Sequence, residues 1–488
     1  MKPPLPARLL PGSLKRSALT LGIGLLAGLL SGCASLTPDG GLSDVQQLTQ
    51  GRTAGMNVAL QRHNSDTANA VAKLLEAPLS AETAVRIALL NNPALQGAFA
   101  VLDISDAART QAGQLPNPHL TLGRFTDGDV QEIERVLRFD VVGLLFLPWK
   151  AQWQGQQHEL AKLQAAQEVI RLAADTRKAW ILAVTAQQTV LYLEDVKAAA
   201  EAGAELAQRM ARVGNWNRLQ QAREQLFLTE ATTQLARARQ AAVAAREKLT
   251  RLMGLGDRSD TPVAYTLVPR LPDLPAQADD MRDVEQRAMR ERLDVRSAVA
   301  ESGYVADSLG LQKATGYLNG LTLGITRNTT VDNATGAQGG KRGLDVELSL
   351  PLFDWGTARN ARAQALYLQS AARVRDMAVK ARSEAREAYQ GYTTAFELAR
   401  HYRDEVVPLR KLISEEVLLR YNGMLLSVWD LLGDMRQQVM SVNSAIEAQR
   451  DFWLAEADLQ TTLTGTSPGG LARLGSYTTP MTTPSQGH

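Results

Sequence analysis

The sequence repeats the same order of landmarks at a spacing of about 200 residues, and this internal duplication limits the folds open to the chain more than any other feature. The run 120–123, Leu-Thr-Leu-Gly, recurs letter for letter at 321–324. Three further pairs recur in the same order at offsets of 200 to 209: 88–98 with 288–298, Trp149 with Trp355, and 212–214 with 420–423. Each half is therefore predicted to read helix, strand, strand, very long helix, turn and helix.

Segment boundaries follow from these landmarks. The predicted segments are a signal peptide at 1–32, a lead-in at 33–78, a first repeat at 79–256, a linker at 257–279, a second repeat at 280–465 and a disordered tail at 466–488. The lead-in is polar and weakly periodic, which predicts irregular structure. The tail is rich in Thr, Ser, Gly and Pro, which predicts disorder. The length of 488 residues thus reflects one duplicated element rather than several unrelated domains.

The N-terminus predicts export and a lipid anchor. A positively charged start precedes an apolar stretch from Ala18 to Leu30, which is too short for a membrane span and has the pattern of a secretory signal. The stretch ends in Leu-Ser-Gly-Cys33, which resembles the lipobox of bacterial lipoproteins and holds the only cysteine of the sequence. Cys33 is therefore predicted to be acylated, and Ala34 after it implies sorting to the outer membrane. The alternative is an ordinary signal peptide with an incidental cysteine.

Alternation of apolar and polar residues predicts a few strands. In 344–350, Leu344, Val346, Leu348 and Leu350 alternate with Asp345, Glu347 and Ser349. Other strands are predicted at 120–123 and 321–326 and, more loosely, at 133–147, with a polar Gly-rich loop at 328–340. The pattern fits a transmembrane β-barrel, with Asp345 and Glu347 facing the lumen, about as well as a half-buried soluble sheet. Trp149 and Trp355 at strand ends suit either an interfacial aromatic girdle or simple packing.

The long helices carry a coiled-coil pattern. From Val374 to Ile413, apolar residues, many of them Ala, recur in steps of four and three, which is a strict 3.5-residue period. Residues 356–421 are therefore predicted to form one very long helix with a kink or loosened turn at Pro408. The counterpart helix of the first half is predicted at 151–213. The two long helices are predicted to reverse at Gly214 and Gly423 and to return through helices at 216–253 and 425–464.

Residues for enzyme chemistry are not arranged as a catalytic or metal site. The five histidines share no metal-ligand spacing. No nucleophile elbow, Walker loop or dinucleotide-binding glycine motif lies in a strand–helix context, and the eleven methionines do not cluster. We therefore predict no enzyme, no cofactor and no metal site. Removing the four basic residues of the signal leaves 49 basic against 51 acidic residues, a balance that predicts no nucleic-acid partner.

The combination of these features resembles the TolC-type outer-membrane efflux proteins. Four local motifs within 79–465 carry the resemblance: the capped helix and Asn-Asn-Pro of 79–93, the strand start at 116–123, the strand-to-helix junction at 350–356 and Val-Val-Pro-Leu at 406–409. The resemblance implies a mainly α fold with a small membrane β part. Three chains would share a twelve-stranded β-barrel that continues into a periplasmic α-helical coiled-coil barrel. It further implies a homotrimeric, passive exit duct of a tripartite efflux or secretion system, with a periplasmic adaptor, an inner-membrane pump and outer-membrane lipid as partners.

The resemblance also implies a gate beside the second reversal, where the family carries Asp-x-x-Asp. Asp430 matches the first carboxylate, whereas Gly433 occupies the second position and Asp434 follows one residue later. Because one residue turns a helical side chain by about 100°, Asp434 is the weaker gate candidate. In the first half Gln220 takes the place of Asp430, whose alternative reading is a solvated carboxylate at a helix start. The residues expected to contact the adaptor lie at the reversals: Gly214, Asn215, Asn422, Gly423 and Ser427.

Three functions are compatible with the sequence. The first is an outer-membrane lipoprotein channel for small molecules or ions. The second is a lipid-anchored periplasmic coiled-coil scaffold without a pore, and the third is a lipoprotein enzyme of the cell envelope. The lipobox and the symmetrically placed strands disfavour a plain cytoskeletal or scaffold coiled coil, which needs neither of them. The channel is the primary hypothesis, and the enzyme is favoured least because no constellation of residues supports it.

Overall fold

The computed structural model describes residues 35–53, 60–62, 65–256, 264–315, 320–348, 353 and 355–468. These residues fall into two compact units. A strand unit combines the chain up to Gly41 with Asp103–Glu159 and Gly303–Leu368, and a helical unit combines Leu42–Leu102, Leu160–Ser302 and the chain from Gln369 onward. The predicted signal peptide, the acylation of Cys33, part of the linker and nearly all of the tail lie outside the described residues.

Both halves of the chain contain the predicted order of elements, and the first half has two additional N-terminal helices and one short helix after its strands. The first half contains α1 Leu42–Thr49, α2 Ser65–Leu74, α3 Ala81–Asn91, α4 Pro93–Ala112, β1 His119–Asp127, β2 Val130–Asp140, α5 Val141–Leu145, α6 Leu147–Arg212 and α7 Arg218–Leu252. The second half contains α8 Val284–Glu291, α9 Leu293–Thr315, β3 Leu321–Asp332, β4 Gln338–Leu348, α10 Thr357–His401, a π-helical turn Tyr402–Val406, α11 Val407–Asn422 and α12 Val428–Thr464. The predicted order of helix, strand, strand, long helix, turn and helix is therefore present twice.

Two predicted segments were wrong. The lead-in 33–78 was expected to be irregular, yet it contains α1 and α2, whose apolar residues contribute to the cores of the helical unit, as Val45 does in α1. The loose strand at 133–147 is the strand Val130–Asp140 followed by the short helix α5. Asp140 ends the strand because its carboxylate accepts a hydrogen bond from the backbone N–H of Gly143 (2.9 Å), which caps the helix.

The predicted loop 328–340 was also wrong, since most of it is strand. β3 continues to Asp332 and β4 begins at Gln338, so that only 333–337 form the turn. Asp332 stabilises this turn through a carboxylate that accepts hydrogen bonds from the backbone N–H groups of Ala334 (2.9 Å) and Thr335 (3.2 Å). The polar residues before and after the turn pair regularly between β3 and β4, because hydrogen bonds between strands are made by the backbone and not by the side chains.

The 3.5-residue seam of the second long helix is buried over its middle. Ala381, Ala385, Ala388, Tyr392, Ala395 and Ala399 are all buried, and most of them pack with Phe452 and Leu459 of α12. The seam ends at the π-helical turn, where the backbone N–H of Val407 donates to the carbonyl of Tyr402. This turn lies directly before Pro408, which confirms the predicted loosened turn. Because a π turn inserts one residue and rotates the following face by about 100°, Leu409 is 57% exposed although it follows the seam pattern.

The four strands form one antiparallel sheet in the order β1-β2-β3-β4. Each strand pairs with the next strand in the chain. The pair β2–β3 therefore joins the first half of the chain to the second. β1 and β4 are consequently the edge strands. Among the described residues, no single helix is long and apolar enough to cross a bilayer, although α3 and α4, bent by 48° relative to each other, pass that test as a pair.

Candidate functional site

Both long helices end in a reversal of the chain with the same backbone motif. We call the reversal around Gly214 the first tip and the reversal around Met424 the second tip. At the first tip Gly214 has φ 82°, and the N–H of Asn215 donates to the carbonyl of Met210 (3.0 Å). At the second tip the residue with positive φ is Met424 (φ 59°), and the N–H of Leu425 donates to the carbonyl of Arg420 (2.8 Å). These are Schellman motifs, and they align at an offset of 210 residues.

The prediction that the second helix reverses at Gly423 was therefore wrong by one residue. Gly423 has φ −79° and caps the end of α11, so the left-handed position falls on a methionine. A side chain in this conformation costs about 1–2 kcal/mol. The adaptor-contact candidates Asn215, Asn422 and Gly423 all lie at the tips and are exposed, as Met424 is.

Substituting the residue with positive φ should change the free energy of unfolding in opposite directions at the two tips. Met424→Gly should raise the free energy of unfolding by about 0.5–1 kcal/mol, since it relieves the backbone strain at some cost in unfolded-chain entropy. Gly214→Met, the matched variant, should lower it by about 1 kcal/mol. Urea unfolding of the purified protein measures both shifts, and shifts of the same sign would contradict the assignment of Met424 and Gly214 as equivalent.

A capping box starts the return helix at each tip. Ser427 caps α12 and exchanges hydrogen bonds with Asp430: its N–H donates to Asp430 Oδ2 (3.1 Å), and its Oγ accepts from the Asp430 N–H (3.3 Å). Asn217 and Gln220 form the equivalent box at α7. Asp430 is exposed and Gln220 is neutral, so the two capping boxes share one geometry but differ by one negative charge. The first tip also has Arg218 where the second has Val428.

Asp434 has a different environment from Asp430. Its Oδ2 accepts a hydrogen bond from Ser414 Oγ (2.5 Å), and its Oδ1 lies 4.0 Å from Arg410 Nη1, both on α11. The Asp434 side chain is 11% exposed, whereas Asp430 is exposed at the tip. The two gate candidates thus differ in environment, since Asp434 packs against α11 and Asp430 lies on the exposed tip. A role for Asp430 at a gate stays a prediction.

A cluster behind the tips was missed by the sequence reasoning. Glu224 of α7 is 2% exposed, and its Oε1 lies 2.8 Å from Nη1 of Arg436 on α12. The Arg436 guanidinium also lies 5.2 Å from the ring centre of Trp429 and 5.6 Å from that of Phe227. We call Trp216, Glu224, Phe227, Trp429 and Arg436 the tip cluster. It joins the return helix of the first half to that of the second.

The position of the tip cluster has a weak sequence signal. One tryptophan follows each reversal, Trp216 two residues after Gly214 and Trp429 five residues after Met424. Their ring centres are 6.1 Å apart in an edge-to-face arrangement. Glu224 and Arg436 give no such signal, because charged residues on helices usually belong to solvated faces. Gly203 of α6 lies beside the cluster, and an added Cβ there would contact Leu432 at 3.4 Å.

The polar face of the sheet carries the two residues predicted to face a lumen. Asp345 accepts hydrogen bonds from Thr326 Oγ1 (2.8 Å) and from Arg138 Nε (3.2 Å), and Glu347 accepts one from Thr322 Oγ1 (3.4 Å). Arg138 and Asp345 are not on adjacent strands, since Gly324 lies between them in the same row. The absence of a side chain there lets the pair form across β3, because a Cβ on Gly324 would overlap the Asp345 carboxylate.

The opposite face of the sheet is apolar and exposed. Leu122 is 69% exposed, Leu344 84% and Val346 65%. The register puts further apolar residues on this face: Leu120, Leu137, Phe139, Leu321, Leu323, Ile325 and Leu348. Trp149 and Trp355, at the end where the helices start, are 56% and 60% exposed. An apolar band of this extent is unusual on a surface that faces water, and it disfavours a half-buried soluble sheet.

Comparison with solved structures identifies the fold. The outer-membrane channel OprN matches with a TM-score of 0.64 and 17% identity over 85% of this chain and 95% of that one. CusC, solved in a study of folding and transmembrane channel formation, matches with a TM-score of 0.62 and 15% identity over 80% and 93%. The outer membrane protein VceC from Vibrio cholerae matches with a TM-score of 0.62 and 14% identity over 79% and 96%.

The chain therefore has the fold of the TolC-type outer-membrane channels, mostly helical with a small antiparallel sheet. This confirms, at the level of the fold, the resemblance seen in the sequence motifs. No protein-family model and no curated protein sequence matches the chain. At 14–17% identity the neighbours define the fold alone.

Proposed function

We propose that this chain is an outer-membrane exit duct of a tripartite efflux or secretion system, a channel of the TolC type rather than an enzyme. The observation that carries the proposal is the sheet, which has an exposed apolar face opposite a face rich in carboxylates. Membrane barrels need this arrangement, with apolar residues toward lipid and polar residues toward water. The fold shared with solved outer-membrane channels supports it.

The edges of the sheet support assembly into a trimer. β1 and β4, of 9 and 11 residues, each have one side without a strand partner in the described chain. Long open edges in a membrane sheet must pair, since unpaired backbone groups in lipid cost several kcal/mol each. Four strands are too few for a barrel, whereas three copies supply twelve, an even number typical of bacterial barrels. In this arrangement Asp345 and Glu347 line the lumen.

The proposed partners follow from a passive duct. The sequence has no Walker loop in a strand–helix context that would bind a nucleotide as an energy source. Transport of small molecules or ions therefore relies on an inner-membrane pump, which a periplasmic adaptor connects to the tips. The exposed tip residues, including Gly214, Asn215, Asn422, Gly423 and Ser427, are the proposed contact surface for the adaptor. Outer-membrane lipid surrounds the barrel, and acylation of Cys33 adds a second attachment.

Reconstitution tests the channel. The purified full chain should form a trimer that runs as a higher-mass band on unheated gels and dissociates on boiling, and it should give discrete single-channel currents in planar bilayers. A monomer that inserts into bilayers without conductance would contradict the proposal and favour the lipid-anchored scaffold.

Charge at the second tip should influence ion selectivity. Asp430→Asn keeps an acceptor for the capping box but removes the charge, and it should lower the preference for cations over anions by up to about fivefold, since one charge at 4 Å in water contributes about 1 kcal/mol. Reversal potentials in a salt gradient measure this preference. Gln220→Glu, the matched variant at the first tip, should raise it. Unchanged potentials in both variants would remove the tips from the ion path.

The lipid anchor has a direct test. Cys33→Ser should abolish incorporation of labelled palmitate, because a hydroxyl cannot replace the thiol as the acylation site of a lipobox. The variant should still fold if the barrel holds the protein in the membrane. Labelled palmitate in the Cys33→Ser protein would disprove the predicted anchor.

A further inference from the structure

The apolar face of the sheet ends in a row of arginines. Arg135, Arg327 and Arg342 lie directly opposite one another on β2, β3 and β4. Arg124 is on the same face of β1, two residues beyond Leu122, which pairs with Arg135. All four side chains are exposed. We call these four residues the arginine row. It lies on the side of the apolar band that faces the hairpin turns, opposite the end where the helices start.

The arginine row has no counter-charge on its own face. The register puts every Asp and Glu of the four strands on the polar face: Asp127, Glu132, Glu134, Asp140, Asp332, Asp345 and Glu347. Arg124 and Arg135 donate to neutral oxygens, Gln131 Oε1 (2.8 Å) and Thr329 Oγ1 (3.1 Å). In the part of the chain that the structure describes, none of the four makes an ion pair, whereas Arg138 on the polar face pairs with Asp345.

Like charges directly opposite on neighbouring strands destabilise a sheet. Neighbouring strands lie about 4.8 Å apart, so the guanidinium groups of three successive strands fall within about 10 Å of one another. An anion bound from outside would relieve their repulsion. Guanidinium groups bind phosphate in a bidentate manner, and two phosphates on one headgroup can contact three such groups together.

The neighbouring residues point to a lipid as the source of the phosphate. Leu137, Ile325 and Leu344 lie one row away from Arg135, Arg327 and Arg342, about 7 Å along the strands. Ile325 is 56% exposed and Leu344 84%. A lipid has acyl chains for the apolar band and a phosphate at their end for the arginines. A free phosphate ion matches only the second of these features, and an acidic protein segment would have to cover exposed leucines.

We propose that Arg124, Arg135, Arg327 and Arg342 bind the phosphate groups of lipids in the leaflet next to the hairpin turns, with a bisphosphorylated glycolipid as the best match. The inference rests on the proposed function, because it requires the sheet to span a bilayer. It adds to that function a specific lipid site on the outer surface of the barrel.

Lipid binding can be measured on the full chain in nanodiscs of neutral phosphatidylcholine that contain a small fraction of fluorescent bisphosphorylated lipid A. The variant R135Q/R327Q/R342Q should bind the labelled lipid about tenfold or more weakly than wild type, since each surface arginine adds a several-fold gain toward anionic lipid. R135K/R327K/R342K keeps the charge and should retain most of the binding. K341Q, adjacent to Arg342 but on the polar face, is the matched control and should bind as wild type does.

Three outcomes would overturn the inference. Equal affinity of wild type and R135Q/R327Q/R342Q for the labelled lipid would show that the row binds no lipid. Displacement of the lipid by millimolar inorganic phosphate would assign the row to a free anion. Wild-type affinity equal for the bisphosphorylated and the dephosphorylated glycolipid would exclude recognition of phosphate.

Single-channel recording of the same preparations separates this inference from the proposed function. Conducting channels that show no difference between wild type and R135Q/R327Q/R342Q in lipid binding would refute the arginine row alone. Lipid binding that depends on the arginines, in a protein without conductance, would refute the duct and support the lipid site.

Discussion

Replacing Arg436 with methionine should lower the free energy of unfolding by about 3–5 kcal/mol and should raise the leak current of the reconstituted channel. Glu224 is 2% exposed, and Arg436 is its ion-pair partner at 2.8 Å. Loss of one partner leaves the other charge buried without compensation, which costs about 3–5 kcal/mol. The rings of Trp429 and Phe227 also lose their cation. Because the pair links α7 to α12, its loss should loosen the two tips relative to each other.

Two further variants distinguish the ion pair from general damage to the helix. The double variant Glu224→Gln/Arg436→Met removes both charges and should recover much of the lost stability, since no buried charge remains. Arg420→Met is the control, because Arg420 is 63% exposed and lies 3.9 Å from Glu416. It should change stability by less than about 1 kcal/mol. A double variant as unstable as Arg436→Met would disprove the role of the pair.

Replacing Arg292 with methionine should have an effect of similar size in the helical unit. The Arg292 side chain is fully buried at the junction of α8 and α9, where it donates to both carboxylate oxygens of Asp294 (3.0 and 2.6 Å) and to Glu384 Oε2 (2.8 Å). Burial alone would lower the pKa of Arg292, but hydrogen bonds and the charges of Asp294 and Glu384 outweigh it and raise that pKa. The variant should lose about 3–5 kcal/mol of unfolding free energy in urea.

The neighbouring helix offers a matched control for Arg292. Arg287 of α8 lies 3.3 Å from Glu291, and both side chains are 39% exposed. Arg287→Met should therefore change the free energy of unfolding by less than about 0.5 kcal/mol. Ser467, which follows the end of α12, donates to Asp294 and Glu384 through its N–H and Oγ, so Arg292→Met should also expose this segment to protease. A loss under about 1 kcal/mol, with unchanged proteolysis, would contradict the assignment.

Features set by a local repeat were predictable from the sequence. The alternation at 344–350 correctly put Asp345 and Glu347 on the face opposite Leu344, because side chains on a strand alternate regardless of what surrounds it. The seam of the long helix and the loosened turn at Pro408 were predictable for the same reason. Each follows from the geometry of a single element.

Features that depend on residues far apart in the chain were not predictable. The Glu224–Arg436 pair joins residues 212 positions apart, and nothing near either residue distinguishes it from an exposed charge on a helix. The arginine row required the register, which aligns β2 of one half with β3 of the other. The true turn at 333–337 was hidden because Asn, Asp and Gly are weak strand formers, and pairing with a neighbouring strand overrode their preference.

The two capping boxes have a consequence for the symmetry of the assembly. The long helices α6 and α10–α11 start and end 210 residues apart, and the tips repeat at the same spacing. A ring of three chains would therefore display six tips of nearly identical backbone, a pseudo-sixfold arrangement. Gln220 at one tip and Asp430 at the next reduce it to a true threefold pattern of alternating neutral and anionic positions. A partner that reads charge would find three sites on this ring, and a partner that reads backbone shape would find six.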